Sequence, residues 1–65
     1  MKKENKILCL KYKINEIEAD VEVQEMILED YNDDLIFASG LTTEINKSKI
    51  RINKLKEMLL SLEND

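Results

Sequence analysis

The sequence predicts an all-α protein: a two-helix antiparallel hairpin of coiled-coil character, completed by a second chain. Two apolar seams, a single Gly with no Pro, and a very small size carry that prediction. The first seam runs through Ile7, Leu10, Ile14, Ile17, Val21, Gln24, Leu28, Tyr31, Leu35 and Ala38, with steps that alternate between three and four residues. Such steps keep one stripe of a helix facing another helix. A second seam runs through Ile45, Ser48, Ile52, Leu55, Leu59 and Leu62. With 65 residues, one Cys and no His, the chain has neither an internal disulfide nor the commonest zinc ligand to support a small core.

Taken in order, the single domain divides into a basic N-terminal segment at 1–16, an acidic arm at 17–38, a turn at 39–42 and a C-terminal helix at 43–63. The first helix is expected over about residues 4–38, the second over 43–63. Gly40, the only Gly, is read as the left-handed residue that ends the first helix, with Leu41 packing back on the preceding turn. Thr42 or Thr43 then caps the second helix, with Glu44 in its first turn. Folding about residues 40–41 sets Lys47 near Asp34, Arg51 near Asp30 and Lys56 near Glu25. The first arm would be about 50 Å long and the second about 30 Å at helical rise. The basic segment would therefore overhang, leaving Ile7, Leu10, Ile14 and Ile17 as a bare stripe for a partner chain.

An α+β alternative competes: an antiparallel strand meander followed by one C-terminal helix. Leu8, Leu10, Tyr12 and Ile14, then Ile17, Ala19, Val21 and Val23, also alternate along the chain. A turn at Asn15-Glu16 would oppose Lys13 to Glu18 and Lys11 to Asp20, with Leu35–Ser39 as a third strand. The turn lacks the Gly that two-residue hairpins favour.

Charge falls in three blocks. Residues 1–15 hold five Lys and one Glu, residues 16–45 hold ten acids and no base, and residues 46–65 hold five bases and three acids. Within the middle block, Glu18, Glu22, Glu25, Glu29, Asp30, Asp33 and Asp34 form an acidic surface, and like charges at helical spacing repel.

Catalytic chemistry has little to build on. Without His, neither Cys9 nor any Ser has an imidazole base, and one Gly cannot make a phosphate-cradling loop. Asp30-Tyr31-Asn32-Asp33-Asp34 opens like a calcium loop, but Leu35 and Leu41 stand where Gly and a bidentate Glu are needed. No cofactor and no metal is expected. Lys47, Arg51 and Lys54 share a helical face, yet the net charge of −4 and the lack of interleaved aromatics argue against direct nucleic-acid binding. The longest apolar runs, Ile7–Leu10 and Leu35–Ala38, fall far short of the roughly 20 residues of a membrane span. A cytoplasmic protein with a free thiol is the expectation.

Two functions fit these features. The first is a non-enzymatic interaction module that dimerises or docks on a larger protein through Ile7, Leu10, Ile14 and Ile17. The second is a small acidic inhibitor whose carboxylates occupy a basic nucleic-acid-binding surface of a target protein. Salt separates them: the inhibitor's complex weakens steeply as ionic strength rises, and the apolar one barely responds.

Overall fold

The computed structural model describes residues 2–64 and contains two helices, α1 (Lys3–Asp30) and α2 (Leu35–Glu63), joined by a short turn. Met1 and Asp65, at the ends of the expected overhang and C-terminal segment, lie outside the described residues. The helices hold 28 and 29 residues and lie side by side in a rod of 47 × 15 × 15 Å. The hairpin fold is as the seams predict. Among the described residues there is no strand, and the segment read as a possible meander is continuous helix. Nothing between Lys3 and Asp30 interrupts the helix, since the stretch contains neither Pro nor Gly.

The core is one interhelical seam. Ile14, Ile17 and Val21 of α1 are buried against Leu41, Ile45 and Ile52 of α2, with Leu28, Leu55 and Leu59 packed at the margins. Ile7, Leu10, Gln24, Ala38, Ser48 and Leu62 are half-buried along the same line. Every seam position from Ile7 to Leu28 and from Ile45 to Leu62 thus faces inward. Leu41 extends the second seam backward through Ala38 in the same three-four rhythm, so the second helix is longer than predicted.

The turn is displaced from its expected place. It falls at residues 31–34, and Gly40 lies inside α2 with no positive φ. Three local features end α1 earlier than the seam suggests. Glu29 and Asp30 sit at its C-terminus, where the helix dipole disfavours negative charge and where no basic residue compensates. The Tyr31 N–H closes the helix by donating to the carbonyls of Ile27 and Leu28 at 3.1 and 3.3 Å. Asp34 then caps α2, its carboxylate accepting from the Phe37 N–H at 3.2 Å. The acids that burden the end of one helix therefore precede the start of the next, where the dipole favours them.

Thr42 and Thr43 do not cap a helix. Their hydroxyls donate to the Ala38 and Ser39 carbonyls at 2.7 and 3.0 Å, one turn back within α2. The expected overhang disappears with the displaced turn, because two arms of nearly equal length cover each other. Ile14 and Ile17, expected to be bare, are only 5% and 7% exposed.

Gly40 meets nothing within 4 Å of where a Cβ would stand. Gly40→Ala is therefore expected to stabilise the hairpin by about 0.5–1 kcal/mol in urea denaturation at fixed protein concentration. A left-handed Gly would give the opposite sign. Asp34→Ala is expected to cost about 1 kcal/mol in the same measurement, through loss of the cap.

Candidate protein interface

The two long edges of the rod differ in chemistry. On one edge, Lys11 meets Glu63 at 3.6 Å, Glu18 meets Lys56 at 3.2 Å and Glu25 meets Lys49 at 3.9 Å. The rungs step by seven residues up α1 and by seven down α2, so they are one position of the heptad repeated. These side chains are about half exposed, and each exposed pair contributes about 0–1 kcal/mol at most. Their main effect is on alignment: a slip by one heptad sets Glu18 against Glu63 in one direction or Lys11 against Lys56 in the other. None of the charge pairs expected from a turn at residues 40–41 is among these rungs. Lys56 pairs with Glu18, one heptad away from the expected Glu25.

The opposite edge is less closed. Near the open end of the hairpin, Cys9, Leu10, Met58 and Leu62 line a largely apolar groove, with Lys6, Glu57 and Ser61 also on its lining. In the middle, Lys13, Asp20, Gln24, Ser48 and Arg51 line a more polar one. Lys13 pairs with Glu16 of its own helix, at 3.5 Å, and among the described residues no ion pair crosses this groove. Toward the turn, Val23 of α1 lines this edge, while Phe37 of α2 lies beside Gly40, Leu41 and Glu44. The ring of Phe37 stands edge-on to that of Tyr31, centroids 5.7 Å apart.

Gln24 is the weak point of the seam. Its amide nitrogen reaches the Glu44 carboxylate at 3.5 Å, while its Oε1 is buried with no hydrogen-bond partner. With the half-buried Ser48 lining the same groove, it forms a polar layer between the apolar layers around Val21 and Leu28. An unsatisfied buried oxygen costs about 1–3 kcal/mol. Polar layers of this kind restrict helix register.

Of the residues expected to bind a partner, Ile14 and Ile17 are consumed by the core and Ile7 and Leu10 are half-buried beside α2. The stripe is the inner face of the hairpin, and this corrects the expectation of a bare overhang. The acidic surface is divided in a way the sequence does not show. Glu18 and Glu25 are held in the ladder, while Glu22, Glu29, Asp30, Asp33 and Asp34 remain exposed toward the turn end. Among the described residues no group of His, Cys, Asp or Glu is placed to hold a metal ion, and none of the helices is long and apolar enough to cross a membrane.

The exposed apolar residues were missed by following one stripe. Leu8, Tyr12, Val23, Met26, Tyr31, Leu35, Ile36, Ile50, Met58 and Leu60 are each more than half exposed, Ile36 reaching 88%. Their signal is present in the sequence: α1 carries apolar residues at Cys9, Tyr12, Ala19, Val23 and Met26, a second three-four series broken only at Glu16. Comparison with protein-family models, curated proteins and solved structures finds no match.

Gln24→Leu is expected to raise the stability of the hairpin by about 1 kcal/mol, because it removes an unpaired buried oxygen from an apolar seam. Chemical denaturation monitored by circular dichroism measures this; a lower midpoint would show that the polar layer stabilises rather than only aligns.

Proposed function

We propose that this chain is a non-enzymatic protein–protein interaction module, a helical hairpin that works through the apolar side chains its own two helices leave uncovered. One observation carries the reading: the rod presents 5267 Å² of accessible surface, whereas a compact monomer of its mass would present about 4,300 Å². Leu8, Tyr12, Met26, Leu35 and Ile36 are among the large apolar side chains exposed on it, and in water they carry a free-energy cost that a partner surface removes. Engagement of Glu18 and Glu25 within the hairpin further supports the apolar surface, rather than the acidic one, as the working face.

The measurement is the mass of the chain in extract of its native host, with and without a short amine-reactive crosslinker; its nine Lys supply the reactive groups. The chain is expected in a species heavier than itself, stable to moderate salt. Recovery at monomer mass under both conditions would overturn the reading, and a complex lost steeply with salt would favour the acidic inhibitor instead.

A further inference from the structure

We infer that the partner is a second copy of this chain, turned end over end and packed on the edge that carries Leu10, Lys13, Asp20, Val23 and Met58. The inference deepens the interaction-module reading and rests on it. The product is an antiparallel four-helix bundle in which α1 lies over α1 and α2 over α2.

Area comes first. The surface in excess of a compact monomer is about 1,000 Å², and a standard interface takes about 800 Å² from each partner. A single face of a 47 × 15 Å rod is of the right size to supply it.

The choice of edge follows from charge. The opposite edge is occupied by the three-rung ion-pair ladder, and covering it would take those charges out of water at a cost. The edge chosen has no interhelical ion pair among the described residues, and its apolar groove at the open end is wide enough to receive side chains.

A second copy is singled out because α1 is complementary to itself when reversed. Its first half, through Asn15, is basic, and its second half, from Glu16 to Asp30, contains acids and no base. A two-fold interface brings residue i of one copy to residue j of the other and j to i. An axis passing between Glu16 and Ile17 relates Lys13 to Asp20, Leu10 to Val23 and Lys6 to Ile27. Glu16 lines the same groove beside the axis and pairs with Lys13 within each copy at 3.5 Å; Lys13 gains the Asp20 carboxylate of the other copy in addition, and the contact occurs twice. Val23 of each copy enters the groove that Cys9, Leu10, Met58 and Leu62 form in its mate. Packing the copies in the same direction would instead stack base on base and acid on acid, which like-charge repulsion opposes. On this arrangement Ile50 and Leu60, on the outer face of α2, stay outside the interface.

Sedimentation equilibrium of the purified chain, with circular dichroism to follow folding, tests the proposal. The wild-type chain is expected at twice 7.6 kDa. Val23→Glu and Met58→Glu shift it to monomer, whereas Ile50→Glu leaves the dimer intact. Lys13→Glu weakens the dimer by about tenfold or more through repulsion at two symmetric contacts, and adding Asp20→Lys to it restores affinity. Should the groove variants also unfold the chain, this charge exchange still decides, since every side chain it alters lies outside the core. A monomer at all concentrations overturns the second-copy assignment; a heavier species in host extract would then still uphold the interaction module. A dimer indifferent to Val23→Glu and Met58→Glu, or a charge exchange without rescue, overturns the assigned face.

Discussion

The structure depends on a single apolar seam between two helices that have no other support. A helix of this length is marginal in water by itself, and most helical stability in proteins comes from packing one face. Here that face is a single line of Ile, Leu and Val, with six residues buried and none of them completely. Everything else in the molecule serves the alignment of this line: the turn that reverses the chain, the cap that starts α2, and the ladder that fixes which residues stand opposite. Loss of alignment by one residue would rotate the apolar stripe away from its mate.

Two devices resist such a slip by different means. The ion-pair ladder penalises it electrostatically, at small cost per rung, because Lys11, Glu18 and Glu25 would meet the wrong partners. Gln24 penalises it through desolvation, since its amide is tolerable only where Ser48 and the Glu44 carboxylate are within reach. Specificity obtained this way lowers stability, and a two-helix seam has little to spare. That tension is the physical reason the remaining apolar surface matters: a thin core with a costly polar layer gains most from a further packing surface.

The exposed residues are arranged unevenly, and this gives the surface its meaning. One edge is closed by charge, the outer face of α2 is mainly polar, and the apolar side chains concentrate on α1 and around the turn. Helix α1 is apolar on its inner stripe and carries Tyr12, Val23 and Met26 exposed on its other sides. The reversal of charge along α1 gives that surface a direction, basic toward the open end of the hairpin and acidic toward the turn.

The periodicity of Ile, Leu and Val pointed to two helices and to their inward faces from Ile7 to Leu28 and from Ile45 to Leu62, and a short connection makes such helices antiparallel; Tyr31 and Leu35, read as part of the first seam, are exposed. The position of the turn was not legible in the same way. Heptads are degenerate: moving Lys56 from Glu25 to Glu18 slips the pairing by one whole repeat, and apolar positions still meet apolar positions. Gly40 drew the turn toward itself, while the decisive signal lay in Glu29 to Asp34, where acids oppose the end of one helix and favour the start of the next. Which side chains would be left uncovered was decided only when the chain closed on itself. Burial depends on what lies opposite, and a one-heptad shift in the turn exchanged a bare overhang of Ile14 and Ile17 for a covered core and a new exposed edge at Val23 and Met58.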